Sequence, residues 1–122
     1  MRRIGLVVDD MFFVSKIAAA AEHVGSRIER IKSLADIDLL AEDPPALVII
    51  DLNADRLDPI QAIESLKSRP ELSGVPVVGF VSHVQVDLIN RAKAAGCDHV
   101  APRSKFTQLL GEIVSGNLAS LS

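Results

Sequence analysis

The chain has 122 residues, of which 48% are apolar and 3% aromatic, and it carries a net charge of −3. A chain of this length and apolar content folds as one domain over residues 1–122 rather than staying disordered, and its slight acidic excess argues against direct contact with nucleic acid. No apolar run nears the roughly 20 residues of a membrane span, and the N-terminal run is too short for a signal peptide. Cys97 has no second cysteine to pair with. We therefore expect a cytoplasmic protein.

Short apolar runs predict the strands of a parallel sheet. Three of them are nearly continuous in apolar character, as expected for strands that helices cover on both faces. Another alternates polar and apolar residues, which indicates an edge strand. In chain order the predicted strands are residues 4–8, 27–31 (the edge strand), 46–50, 75–81 and 97–101.

Segments with helical spacing separate these runs. Apolar residues recur every three or four positions, so each segment can place one apolar stripe on the sheet. The stripes are Phe13, Ile17, Ala20 and Val24, then Ile60, Ile63 and Leu66, and finally Phe106, Leu109, Leu110 and Ile113. Residues 34–42 give a weaker helical pattern, and Asp58 with Pro59 predicts a capped helix start. Three glycines stand where the first, fourth and fifth helices should end: Gly25, Gly96 and Gly116.

Strict alternation of strands and helices predicts an α/β fold with right-handed crossovers. We expect the flavodoxin-like (βα)5 doubly wound parallel sheet with strand order 2-1-3-4-5. In that order the first and third strands are neighbours whose helices leave on opposite faces, so a crevice opens at their carboxyl ends. Ligand-binding residues are therefore expected at those two strand ends.

Acidic residues stand at both of these strand ends. Asp9 and Asp10 close the first strand, and Asp51 closes the third. Neighbouring carboxylates raise one another's pKa unless a cation neutralises them. Mg²⁺ takes carboxylate oxygens and accepts phosphate oxygens, and the backbone carbonyl of Asn53 offers a further oxygen ligand. Each acid taken singly is explained as a helix cap or a strand end, but the three together favour a metal and phosphoryl site.

The sequence around these acids resembles the CheY-like receiver domain of response regulators in two-component signalling. The likeness runs from about Arg3 to about Leu118 and rests on Leu6-Val7-Val8-Asp9-Asp10, Leu47-Val48-Ile49-Ile50-Asp51-Leu52, Val75-Pro76-Val77-Val78 and Ala94-Ala95-Gly96-Cys97-Asp98. The resemblance implies that Asp51 accepts a phosphoryl group from a histidine kinase or phosphotransfer protein, while Asp9 and Asp10 hold Mg²⁺. It implies no enzyme activity beyond self-phosphorylation and self-dephosphorylation at Asp51.

Several positions depart from the receiver pattern. Val81 stands where the family has a Ser or Thr, and Ser82 supplies that hydroxyl only if the loop shifts by one residue. Arg103 replaces the family's lysine, which keeps the charge but exchanges an ammonium group for a wider planar fork. Val100 lacks the aromatic ring that moves on activation in the family. The acidic pocket is thus retained, whereas the residues that convert phosphorylation into a changed surface are altered.

Three functions are compatible with these residues. The first is a phosphorylatable receiver that signals to a downstream protein partner through the fourth helix, fifth strand and fifth helix. The second is a pseudo-receiver, a phosphorylation-independent interaction or dimerisation platform, for which Val81, Val100 and Arg103 argue. The third, a flavodoxin-like enzyme or nucleotide binder, ranks last because Met11-Phe12-Phe13 stands where a glycine-rich loop would be.

Overall fold

Residues 2–83 and 85–121, which the computed structural model describes, contain one parallel sheet. Its strands are β1 Arg2–Val7, β2 Ser26–Arg30, β3 Leu47–Asp51, β4 Val77–Val81 and β5 His99–Pro102. They lie in the order β2-β1-β3-β4-β5, and each neighbouring pair is parallel. The predicted α/β doubly wound architecture is confirmed, including the place of β2 at an edge.

The connecting helices begin and end largely where the sequence indicates. They are α1 Met11–His23, α2 Leu34–Leu40, α3 Pro59–Ser68, α4 Val86–Ala95, α5 Arg103–Gln108 and α6 Leu110–Val114, followed by a 3-10 turn over Ala119–Leu121. The carboxylates of Asp10 and Asp58 cap α1 and α3. Gly96 ends α4 with a φ of 111°, a left-handed conformation in which a side chain would be strained. None of the helices in the described ranges combines the length and apolarity needed to cross a bilayer.

Element boundaries differ from the predicted ones by up to two residues. β5 begins at His99 rather than at residue 97, because the Cys97 N–H donates to the Ala92 carbonyl and completes the end of α4. α2 stops at Leu40 rather than at residue 42. Such ends depend on individual hydrogen bonds that apolar periodicity does not encode.

The predicted fifth helix is wrong as a single element, because it is divided into α5 and α6. Leu109 separates them with φ −98° and ψ 9°. The Thr107 hydroxyl donates to the Arg103 carbonyl at 2.8 Å, a side-chain-to-backbone bond that competes with regular helix geometry and bends helices. Of the predicted apolar stripe, Phe106, Leu110 and Ile113 are buried, and Leu109 is partly buried against them.

Helices cover both faces of the sheet and bury an apolar layer on each. α1, α5 and α6 pack on one face, while α2, α3 and α4 pack on the other. On the first face the rings of Phe13, Phe80 and Phe106 form a cluster with centroid separations of 4.7 to 5.9 Å. Phe80 pairs across the sheet with Asp51, so this phenylalanine cluster lies directly beside the carboxyl end of β3.

Candidate functional site

The pairing of β1 with β3 brings the predicted acids to one edge of the sheet. The register sets Val7 opposite Ile50, so both strands end at the same level. Asp9 and Asp10 follow β1 directly, and Asp51 is the last residue of β3. Ligands of open α/β sheets bind at such a topological switch point, where two neighbouring strands end.

Asp51 is the one buried carboxylate among the described residues, with 8% of its surface exposed. Its Oδ1 accepts the backbone N–H of Asn53 at 2.8 Å. Burial raises the pKa of Asp51, and the charges of Asp9 and Asp10 raise it further, although the Asn53 amide and Arg103 act in the opposite direction. Folding therefore disfavours the charged form of Asp51, chiefly because the carboxylate loses contact with water.

Asp9 fixes the loop that follows β3. Its Oδ2 accepts the backbone N–H groups of Asp55 at 2.8 Å and of Arg56 at 3.2 Å. These bonds join the end of β1 to the loop between β3 and α3. The sequence showed no signal for them because they use backbone donors of a loop without a motif.

Asp10 is shared between the start of α1 and Arg103. Its Oδ1 accepts the N–H groups of Phe12 and Phe13, and its Oδ2 accepts from the Arg103 Nη2 at 3.2 Å. The Arg103 guanidinium also lies over the Phe13 ring, with its Cζ 4.1 Å from the ring centroid. The hydrogen bond from Arg103 and those from the Phe13 and Phe12 amides lower the pKa of Asp10.

Replacing Arg103 is expected to change the pKa of two carboxyls. In Arg103→Ala the pKa of Asp10 should rise toward its ordinary value of 3.8, because the largest cause of its lowering is removed. The pKa of Asp51 should rise further from its already raised position, since Arg103 opposes that rise. Carboxyl ¹³C NMR titration measures both. Lys105→Ala removes an equal charge from the same helix and serves as the control; equal changes in the two variants would contradict the direct contact.

Asn53 connects the loop after β3 with the loop after β4. Its Oδ1 accepts the Ser82 backbone N–H at 3.0 Å, and its Nδ2 donates to the Gln85 Oε1 at 2.6 Å. Gln85 is the N-cap residue of α4. Sequence reasoning gave Asn53 a role through its backbone carbonyl and missed Gln85, because no motif marks two polar residues so far apart in the chain.

The hydroxyl expected at the end of β4 is replaced by an apolar side chain. β4 ends at Val81, which is buried and pairs with Pro102 in an unshifted register. Ser82 follows the strand as an exposed residue, and its backbone N–H rather than its hydroxyl contacts Asn53. The participation of Ser82 in phosphoryl binding stays a prediction.

The predicted metal ligands lie at the same edge of the sheet, but their side chains make hydrogen bonds to different groups. Within the part of the chain that the structure describes, no three His, Cys, Asp or Glu side chains form a group arranged to hold a metal ion. Asp10 uses both carboxylate oxygens within the protein, and Asp9 uses one. The donor set nevertheless fits a hard cation, since three carboxylates and one backbone carbonyl offer it oxygen ligands alone. The set of Asp9, Asp10, Asp51 and Asn53 therefore stays a prediction.

No protein-family model matches the chain, and no curated protein matches it. Solved structures match along almost its whole length. The phosphorylated cyanobacterial phytochrome response regulator RcpA has a TM-score of 0.79 at 19% identity, over 99% of this chain and 96% of that one. The chain has the receiver-domain fold.

Two further structures with the receiver fold extend this likeness. The signal receiver domain of a histidine kinase from Syntrophus aciditrophicus gives a TM-score of 0.80 at 20% identity, covering 100% of this chain and 93% of that one. The Mn²⁺-bound form of response regulator Rcp1 gives a TM-score of 0.67 at 19% identity, over 100% of this chain and 96% of that one. At these identities the likeness establishes the fold, and the function has to be inferred from the residues at the site.

Proposed function

We propose that this receiver-fold protein accepts a phosphoryl group at Asp51 from a histidine kinase or phosphotransfer protein and signals by a protein contact. The observation that carries the proposal is the Asp51 carboxylate, buried at the open edge of the sheet with a raised pKa and two further acids beside it. Active sites use burial and neighbouring charges to shift carboxyl pKa values, and ligands bind at the switch point of such a sheet. The phosphorylated state of RcpA, which shares the fold, supports this reading.

The contacts of Asp51 indicate which of its oxygens reacts. The Asn53 amide holds Oδ1, and Oδ2 accepts no hydrogen bond from the described residues, so Oδ2 is the nucleophile. It forms a bond to the phosphorus of a phosphohistidine while the P–N bond breaks, and the released imidazole nitrogen keeps the electron pair and takes up a proton. Phosphoryl transfer needs position and charge neutralisation more than covalent assistance. The Asn53 amide supplies position, and Arg103 supplies positive charge.

A divalent cation completes the proposal. Asp9, Asp10, Asp51 and the backbone carbonyl of Asn53 would hold Mg²⁺, and the Mn²⁺-bound form of Rcp1 supports a divalent ion on this fold. When bound, such an ion neutralises the carboxylates and takes phosphoryl oxygens as ligands. We propose no catalytic turnover beyond the gain and loss of the phosphoryl group at Asp51.

The phosphorylation of Asp51 is tested with small phosphodonors. The protein is incubated with Mg²⁺ and acetyl phosphate, or with beryllofluoride, and followed by intact mass and amide NMR. We expect the wild type to gain the mass of one phosphoryl group and Asp51→Asn to gain none, because the amide is not a nucleophile for phosphorus. Absence of an adduct in the wild type, or the same adduct in Asp51→Asn, would contradict the proposal.

A phosphorylation-independent platform is the second candidate function. It is favoured by the buried apolar Val81 at the end of β4 and by the pairing of Arg103 with Asp10. The same experiment separates the two functions. A wild type that forms no adduct supports the platform, whereas an adduct with NMR shifts confined to the crevice shows phosphorylation without a changed surface.

A further inference from the structure

The outer side of β2 is open to a further strand. Among the described residues β2 pairs with β1 alone, in parallel. The Ile31 N–H donates to the Leu6 carbonyl at 2.8 Å, so the backbone groups of Ile31 face β1. Because successive residues of a strand direct these groups to opposite sides, the N–H and C=O groups of Ile28 and Arg30 point away from the sheet. β2 therefore offers a row of hydrogen-bonding groups to another chain.

A groove lies along the same edge, between α1 and β2. It has a volume of about 400 Å³ and is lined by Ala18, Glu22, Ser26, Arg27 and Ile28. Ile28 is only partly buried, and it packs on the side of the sheet that α1 covers. The space beside β2 is therefore accessible, and Ile28 gives an incoming chain an apolar contact.

The charges of β2 match those of a second copy of the same strand. Arg27 and Glu29 stand on either side of Ile28. As alternate residues of one strand, they direct their side chains to the same face of the sheet. Two antiparallel copies that pair about Ile28 place each Arg27 directly opposite the Glu29 of the other copy. Opposite charges in such cross-strand pairs stabilise a sheet, whereas like charges destabilise it.

This register is the one that both the charges and the backbone favour. Outward backbone groups have to face one another, so the two-fold axis near the middle of β2 can lie at Arg27, Ile28 or Glu29. An axis at Arg27 sets two arginines opposite each other, and an axis at Glu29 sets two glutamates opposite each other. An axis at Ile28 pairs all five residues of the strand and forms two ion pairs on either side of an Ile28–Ile28 contact.

Glu29 and Arg27 are available for these ion pairs. Arg3 of β1 contacts Oε2 of Glu29, whose side chain remains 42% exposed. Arg27 is exposed and forms no ion pair with the described residues. A second copy therefore supplies the carboxylate that Arg27 lacks. The charges of Arg3, Glu29 and the Arg27 of the other copy then alternate across the joined sheets.

We propose that β2 is a dimerisation edge, at which two copies of this chain join their sheets by antiparallel pairing about Ile28. The outward N–H and C=O groups of Ser26, Ile28 and Arg30 form the new backbone hydrogen bonds. The contact uses the same surface on both copies, so the two-fold axis closes it at a dimer and no fibre follows. The inference goes beyond the proposed function and does not depend on the phosphorylation of Asp51.

The test measures the mass of the protein in solution by sedimentation equilibrium at increasing concentration, with no phosphodonor present. We expect the wild-type mass to rise from one chain to two and to stop there. Arg27→Glu should raise the dissociation constant of the dimer about 10-fold or more, because both symmetry-related pairs change from attraction to repulsion. Glu29→Arg should act in the same direction. The double variant Arg27→Glu/Glu29→Arg restores opposite charges and should return to within about 3-fold of the wild type.

Arg91→Glu makes the same charge reversal at an exposed position of α4, which joins β4 to β5 at the opposite edge of the sheet, and is the matched control. It should dimerise as the wild type does, and far-UV circular dichroism shows whether each variant is folded. Amide hydrogen exchange of the wild type gives a second readout. The Ile28 and Arg30 amides should exchange more slowly as the dimer forms, while the Ile31 amide, bonded within the chain, should not change.

A wild type that keeps the mass of one chain at about 1 mM, where even a millimolar contact is visible, would overturn the inference. So would an Arg27→Glu protein that dimerises as strongly as the wild type, or a folded double variant no tighter than the single ones. Loss of the dimer in a folded Arg91→Glu protein would place the contact on another face and overturn it too. The phosphorylation of Asp51 is measured separately, so none of these results decides the proposed function.

Discussion

Phe106→Ala is expected to lower the free energy of unfolding by about 3 to 5 kcal/mol. The Phe106 side chain is fully buried, and its ring centroid lies 4.7 Å from that of Phe80 and 5.9 Å from that of Phe13. The smaller side chain leaves a cavity that these rings cannot fill without moving. Domains of this size are commonly stable by about 5 to 15 kcal/mol, so the loss is a large share of the total. Urea denaturation followed by far-UV circular dichroism measures it, because the chain has no Trp or Tyr for fluorescence.

Phe12→Ala is the matched control for this prediction. The Phe12 side chain is 91% exposed, so the same chemical change should alter the unfolding free energy by less than about 0.5 kcal/mol. Equal losses in the two variants would mean that the phenylalanine cluster does not stabilise the fold. The cluster also matters for the site, because Phe13 lies under Arg103 and Phe80 pairs with Asp51.

Asp51→Asn is expected to raise the free energy of unfolding at pH 7 by about 1 to 2 kcal/mol, the scale of an incompletely compensated buried polar group. Asp51 has a raised pKa in the folded chain, so folding favours its neutral form. An asparagine of the same shape stays neutral and can still accept the Asn53 amide through its oxygen. The variant that cannot be phosphorylated should therefore be the more stable protein. Such a gain is common when a destabilising active-site group is removed.

The pH dependence of this gain follows from the direction of the pKa shift. Between the ordinary value of 3.8 and the higher folded pKa, the folded wild type binds more protons than the unfolded chain, so its stability falls as the pH rises. The advantage of Asp51→Asn should be absent below the ordinary value and complete above the folded pKa. Urea denaturation at several pH values measures it. Asp87→Asn, at an exposed carboxylate, should change stability by less than about 0.5 kcal/mol, and a less stable Asp51→Asn would contradict the prediction.

The sheet could be predicted from sequence because burial on both faces leaves continuous apolar runs. β1, β3 and β4 are such runs, and the alternation with helices then limits the topology to few choices. The division of the last helix could not be predicted, because it is a local change in the backbone angles of Leu109. Apolar spacing is the same on either side of that residue.

The sequence predicts which site residues lie together at the carboxyl end of the sheet. The positions of Asp9, Asp10 and Asp51 follow from strand order, since parallel strands that are neighbours end together. Their individual partners do not follow from strand order. The placement of Arg103 over Phe13 and the contact of Asn53 with Gln85 depend on side-chain conformations in loops, for which a single sequence carries no periodic signal.

Two backbone N–H groups, from Asp55 and Arg56, would compete with any cation for the Asp9 carboxylate. Any ion that draws on Asp9 Oδ2 has to share it with the N–H groups of Asp55 and Arg56. Weakening those bonds would free backbone donors that otherwise keep the segment before α3 ordered. If an ion at Asp9 weakens these bonds, a more firmly held loop must in turn weaken the binding of the ion, by the same coupling free energy.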